Sequence, residues 1–279
     1  MMMISNKVNY SKNLIAGLML VVLAFYSMDA YSQKHALEFR NNQYNKNKRD
    51  TIIIDFQNNI FRDSDKLGLI KQFERLEANH QEELIDKYIK VATKVNDSIL
   101  FDIIKTRIKE SLEGYDFCII DSSISLEHPS KNVHYLSLIQ IEMEEVNYFD
   151  TIFGSNPSQV FAKEITGINL NIWLSYKQAN NKEIIFYHSN GFYPYMYGDL
   201  VVSNGELYAQ YDLEETNPNH FYNLAYKNSG LVAQYFFNFL MNKYVYQNTE
   251  GEDEYYYSID PSTKTIYYDD EPFDMFEVL

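Results

Sequence analysis

Residues 168–190, INLNIWLSYKQANNKEIIFYHSN, constrain the fold more than any other part of this chain. Ile168, Leu170, Ile172, Leu174 and Tyr176 fall on one side of an extended backbone; Asn169, Asn171 and Ser175 fall on the other. Successive side chains of a strand leave opposite faces, so this alternation predicts a strand with one buried and one solvated side. Lys177–Lys182 is polar and of hairpin length, and Glu183–Ser189 reads as the returning strand. A hairpin with one apolar face needs a cover for it.

The cover is legible near the C-terminus. Asn217 and Pro218 suit a helix cap and first helical position. Phe221, Leu224, Ala225, Leu231, Val232, Tyr235, Phe236, Phe239 and Leu240 then recur at three- and four-residue steps to about Tyr244. Upstream, TIIIDF (51–56) and YDFCIIDSS (115–123) read as strands apolar on both faces. Three helices are predicted between them, from Asp65 through Ala78, from Gln81 to Lys94, and from a cap at Asp97 or Ser98 to the stop at Gly114. Strand, helices, strand is the order of an α/β crossover. Val133–Phe149 is a long strand that begins central and emerges toward an exposed end, broken by the linker Gly154–Gln159.

The expected fold class is therefore α/β (or α+β), a mixed sheet of about four to six strands with helices packed on it. An antiparallel hairpin at 168–189 belongs to that sheet, and a small C-terminal hairpin turns at Asp260–Thr263. The organisation reads as a signal peptide (1–32), a flexible leader (33–50), an α/β domain (51–245) and a C-terminal hairpin or tail (246–279).

Export is read from the N-terminus. Lys7 and Lys12 precede the apolar run Leu14–Phe25, which is followed by small residues Ser27, Ala30 and Ser32. That is the order of a secretory signal peptide, and the run is short for a bilayer span, which needs roughly 20 residues. The expected location is the periplasm or cell envelope, with membrane attachment only through this segment if it is retained. The sole cysteine, Cys118, lies far from the apolar run, so the chain has neither a lipidation site there nor an internal disulfide. In FCII it reads as a small buried hydrophobe.

The formal charge is −15, and loss of the signal peptide, which carries two lysines and one aspartate, makes it −16. Such a surface repels phosphate backbones and anionic lipid, so nucleic acid is not an expected partner. The expected partner is an envelope protein or glycan.

The order of elements resembles a known family. The strand IIIDF, the helix ending KESLEGYDFCIIDSS, the strand YLSLIQIEMEEVNYFD, the hairpin INLNIWLSYKQANNKEIIFYHS and the helix NLAYKNSGLVAQYFFNFLMNKY follow one another. Together they resemble the periplasmic α/β domain of curli-secretion-channel and penicillin-binding-protein-activator lipoproteins. Where that family turns its hairpin around Thr-Gly, this chain has Asn180–Asn181; the lipid-bearing cysteine is absent, and the helical insertion Asp65–Lys94 is longer. Leader, composition and tyrosine content are similar to exported Bacteroidota proteins of unknown function. The resemblance implies a non-catalytic binding or assembly module and carries over no catalytic residue.

Candidate sites come from the residues themselves. NGFYPYMYGDL (190–200) places Tyr193, Tyr195 and Tyr197 in alternation between Gly191 and Gly198. Extended, they would face one way and offer aromatic faces with hydroxyl tips to a partner or a sugar. Asp55 and Asp121 each close a buried strand; as parallel neighbours they would meet at the carboxyl end of the sheet, with Ser122 and Ser123, and could hold a ligand or cation. The simpler reading is capping of loop amides. Glu142, Glu144 and Glu145 form the densest acidic group on a strand, where a solvated edge competes with a paired-carboxylate site.

The six histidines (35, 80, 128, 134, 188 and 220) lack ligand spacing, so neither metal nor cofactor is expected. No nucleophile elbow, dinucleotide fingerprint or Walker pattern is present. An exported interaction or assembly module is the first functional reading; a secreted carbohydrate-active or other hydrolase using carboxylates is the alternative.

Overall fold

The computed structural model describes residues 32–70, 76–121, 133–156, 158–178, 183–249, 256–260, 262–269 and 277–278. The apolar run Leu14–Phe25, and with it the signal-peptide expectation, lies outside the described residues, as do Ser122, Ser123 and His128. No helix among the described residues is long and apolar enough to cross a membrane.

The fold is α/β, as the alternating and buried strand patterns predict. Its strands are β1 (Thr51–Phe56), β2 (Ile60–Ser64), β3 (Cys118–Asp121), β4 (Val133–Phe153), β5 (Val160–Lys177), β6 (Ile184–Phe192), β7 (Tyr197–Ser203), β8 (Glu206–Asp212), β9 (Tyr256–Ile259), β10 (Ile266–Asp269) and β11 (Glu277–Val278). The helices are α1 (residues 32–43), α2 (Asp65–Gly68), α3 (Ala78–Tyr88), α4 (Asp97–Gly114) and α5 (Pro218–Asn248). The described residues divide into two compact units, one drawn from residues 50–235 and 277–278, the other from residues 32–49 and 236–269.

Among the described residues the larger unit holds a seven-stranded mixed sheet in the order β11-β6-β5-β4-β1-β3, with β2 also on β4. The excess over the expected strands is β2 and β11, too short to carry a period. β1 runs parallel to β3 and β4; β4, β5 and β6 are antiparallel. β4 is long enough to serve two partners in succession on one edge. β1 pairs with Val133–Leu138 and β2 with Ile141–Glu145. Between them the ladder slips at Leu138/Gln140, and Asn59 Nδ2 caps the bulged Ile139 carbonyl at 3.0 Å.

The apolar side of the ribbon is fully buried at Ile168, Leu170 and Ile172. α5 covers it: Asn228 Nδ2 donates to the Leu170 carbonyl at 3.3 Å, and the His188 and Tyr235 rings meet edge-on at 5.4 Å. Leu100, Ile104, Ile108 and Leu112 form the buried stripe of α4, capped at Asn96, whose Oδ1 accepts from Ile99 N at 3.1 Å. Burying each such side chain contributes roughly 1.5–3 kcal/mol before entropy.

Two helix limits differ from expectation. α2 is one turn, and α3 ends at Tyr88, with a 3-10 turn at Ala92–Lys94. The cause at the end of α3 is a long-range competitor for the backbone. Buried Glu145 accepts the N–H groups of Lys90, Val91 and Ala92 at 3.0, 2.6 and 2.7 Å, and Arg62 Nε donates to the Ala92 carbonyl at 3.0 Å. A helix continuing through 90–92 would need those groups for itself.

The smaller unit corrects the leader. Residues 32–43 are helical, with Ser32, His35, Ala36, Phe39 and Gln43 buried at three- and four-residue steps. Most of that stripe is polar, so hydropathy did not display it. Phe39 packs edge-on against Phe237 at 5.4 Å, and Arg40 Nη1 donates to the Lys264 carbonyl at 2.9 Å. β9 pairs with β10 through the expected turn, where Asp260 Oδ1 accepts from Ser262 and Thr263 amides at 2.7 and 3.0 Å. Hydrogen bonds from Ser262 hold that carboxyl below its ordinary value. On its other side β9 satisfies backbone groups with Asn238 and Asn242 of α5 rather than with a third strand.

Candidate functional site

Among the described residues, neither β4 beyond Glu145 nor β5 before Ile168 has another ladder partner: Val146–Phe153 and Val160–Gly167 pair with each other. A bare two-stranded ribbon is marginal in water. Here it is stabilised by a second hairpin, β7–β8, turning at Asn204–Gly205 with φ of 53° and 84°, the left-handed pair that a tight hairpin turn requires. Ile152, Ile165 and Met196 form a small separate core, with Tyr148, Phe161, Leu200 and Leu213 around it. The two hairpins make a lobe at one end of the sheet.

The tyrosine segment joins β6 to this lobe. Residues 193–196 are not a strand; Pro194 has no N–H to give a ladder, and only Tyr197 enters β7. The loop is nevertheless fixed. Tyr193 Oη donates to Asn169 Oδ1, and Tyr148 Oη donates to the Pro194 carbonyl. Met196 N donates to Asp150 Oδ2 at 2.5 Å. Burial, then the Asp150 and Tyr193 charges, push the Tyr148 hydroxyl above its ordinary value, which keeps it a donor. Tyr193, Tyr195 and Tyr197 are 51%, 72% and 76% exposed, so two of the three rings stand mostly in solvent.

All three tyrosines line one cavity of about 380 Å³, together with Phe192, Pro194, Asp212, Leu213 and Glu214. Asp212 lies opposite Tyr197 in the β7–β8 register. Glu214 Oε1 lies 3.1 Å from His220 Nε2, and that imidazole stacks on Phe192 at 3.9 Å between centroids. On the other face of the hairpin, Tyr211 stacks on Phe161 at 5.5 Å, and Lys163 Nζ sits 5.2 Å over the Tyr211 ring and 3.2 Å from Glu215. Hydrogen bonds to Glu215 and Tyr211 raise the Lys163 ammonium above its ordinary value.

The tyrosines thus converge, though through a loop rather than an extended strand. The acidic wall and the β7–β8 hairpin were missed by sequence reasoning. Asn204–Gly205, flanked by DLVVS and ELYAQYD, runs rich in valine, leucine and tyrosine, was the available signal.

The aspartate pair does not converge. β1 and β3 are parallel neighbours as expected, but the register sets Ile54 beside Asp121. Asp55 is one residue further on and leaves the opposite face of the sheet. Asp121 is held by Lys109 Nζ at 2.6 Å, which lowers its carboxyl below the ordinary value. The two therefore build no common ligand or cation site.

The glutamates are absorbed by the fold. Glu142 and Glu144 share the outer face and accept from the ribbon's Asn171 and Asn169 at 3.2 and 2.8 Å; Ser189 Oγ donates to Asn171 at 2.6 Å. Glu145 points to the helix side, as described. Cys118 is partly buried. His134 lies buried with Nδ1 3.1 Å from the Tyr176 hydroxyl and Nε2 3.5 Å from Asp50. Among the described residues no three His, Cys, Asp or Glu side chains are grouped to hold a metal ion. No protein-family model matches the chain, and no curated protein matches it in sequence.

Proposed function

We propose that this chain is an exported, non-catalytic α/β module of the cell envelope that binds a partner protein through the lobe formed by residues 146–167 and 193–214. One observation carries the reading. Of the twenty large hydrophobic residues exposed among the described residues, eleven fall between Phe149 and Tyr211. Scattered exposed apolar residues are normal, whereas a concentration on one projecting element marks a contact surface. Phe149, Phe153, Val202, Tyr195 and Tyr197 are the most exposed of these. The order of elements, with its likeness to periplasmic assembly modules, and the leader-like N-terminus support placement in the envelope. The hydrolase alternative has less support, because Asp55 and Asp121 leave opposite faces of the sheet, whereas glycoside hydrolysis needs two carboxylates within about 5–10 Å of each other.

The test is site-specific photo-crosslinking in envelope extract from the source cells, with the crosslinker at Tyr195 or Val202 and, as control, at exposed Tyr246 outside the lobe. The expected result is a discrete adduct with the same protein from both lobe positions, lost in a Tyr195→Ala/Tyr197→Ala chain. Equal capture from Tyr246, or capture indifferent to the double substitution, would overturn the reading.

A further inference from the structure

Resting on that contact surface, the geometry points to the group it receives: we infer that the cavity lined by Tyr195, Tyr197 and Asp212 takes the cationic head of a lysine or arginine side chain from the partner protein. The lining is aromatic and acidic, with Phe192, three tyrosines, Asp212 and Glu214, and no lysine or arginine. Aromatic faces carry the negative lobe of the ring quadrupole and attract cations. The carboxylates act in the same direction and would repel an anionic ligand. Glu214 already has His220 beside it. Asp212 is exposed and has no cationic partner among the described residues.

The lobe itself supplies a second, independent pointer. On one face of β7–β8 an ammonium, that of Lys163, sits over the Tyr211 ring with the Glu215 carboxylate at 3.2 Å. On the opposite face the register puts Tyr197 beside Asp212, a ring and a carboxylate again, with no lysine among the described residues lining it. The two faces share that pairing of ring and carboxylate, and on one of them it already holds an ammonium. A cavity of about 380 Å³ lies toward the small end of ligand sites, which run from roughly 300 to 1,000 Å³, and admits a long basic side chain with part of its flanking backbone. The formal charge of −15 would steer a basic segment toward it.

The experiment titrates the full chain with acetyl-Gly-Gly-Arg-Gly-Gly-amide, its lysine analogue and its citrulline analogue. Tyrosine ring resonances are followed by NMR and assigned with Tyr195→Phe and Tyr197→Phe. The expected result is saturable shifts of both rings with the arginine and lysine peptides and none with citrulline, which keeps the shape and removes the charge. Asp212→Asn, at an exposed position, should weaken binding about three- to tenfold while leaving the unfolding temperature unchanged. Citrulline binding as tightly as arginine, or no shift with any peptide at millimolar concentration, would overturn the inference. So would the same shifts produced instead by an N-acetylglucosamine tetramer run in parallel. If the crosslinked partner still depends on Tyr195 and Tyr197 in any of these cases, the contact surface stands and only the cation assignment fails.

Discussion

Tyr193 rests its ring on Gly167: a Cβ added to that glycine would stand 2.6 Å from Tyr193 Cδ1 and 3.2 Å from Tyr148 Cε1. No main-chain atom is that close, so the glycine's role is to leave room for an aromatic ring that anchors the contact loop. Gly167→Ala should destabilise the chain by about 1–3 kcal/mol through this overlap. In a Tyr193→Ala background the same substitution should cost much less, because its principal obstacle is gone. Thermal unfolding of the four chains gives the coupling directly; additive effects would mean that the ring and the glycine do not share that space.

The extent to which the sequence displayed this molecule follows from how local each determinant is. The ribbon at Ile168–Tyr176 and the apolar stripe of α5 are periodic within one element, and both were legible. Helix α1 was not, because its buried stripe includes Ser32, His35 and Gln43. The end of α3 is decided by Glu145, more than fifty residues away, and no local pattern records that. Tyr193, Tyr195 and Tyr197 were legible as a cluster. Their acidic neighbour Asp212 reaches them only through the β7–β8 register, and the separation of Asp55 from Asp121 likewise depends on a one-residue offset between strands.

Glu145 is the carboxylate whose loss should cost most. It is buried and accepts three successive backbone N–H groups from Lys90, Val91 and Ala92. Glu145→Ala strands all three donors and should lower stability by about 3 kcal/mol or more, measured by denaturant titration. Glu145→Gln keeps one acceptor and should lose less. Glu142→Ala, which removes one partly exposed bond to Asn171, should stay within about 1 kcal/mol. An equal cost at Glu142 and Glu145 would contradict the division of the two between opposite faces.

Asp55 and Asp121 should behave independently. Asp121 pairs with Lys109 across a largely exposed surface, an arrangement worth about 0–1 kcal/mol. Asp121→Asn should therefore change stability by no more than that, and adding Asp55→Asn should sum with it, as expected for sites on opposite faces of a sheet. The paired chain should also show no change in thermal stability on adding calcium or magnesium that the parent lacks. A cation-dependent shift in the parent, lost in either variant, would restore the common site that the register removes.

His188 gives the larger unit a pH dependence with a definite sign. Its imidazole lies against Tyr235 at 5.4 Å between ring centroids, and burial pushes its pKa below the ordinary value of 6.5. The nearby Lys227 charge acts the same way, while a hydrogen bond from the imidazole to Asn228 opposes it. The folded chain therefore binds the proton less readily than the unfolded chain. Stability from this group is fully present above pH 6.5 and declines as pH falls through that value toward the folded pKa, because only the unfolded state gains the proton. Urea unfolding between pH 8 and pH 5 should show this decline in the parent. His188→Phe, which keeps a ring on Tyr235 and titrates nowhere in that range, should flatten the portion of the slope that begins at 6.5. An unchanged slope in the variant would assign the decline to other groups and show that His188 is protonated equally in both states.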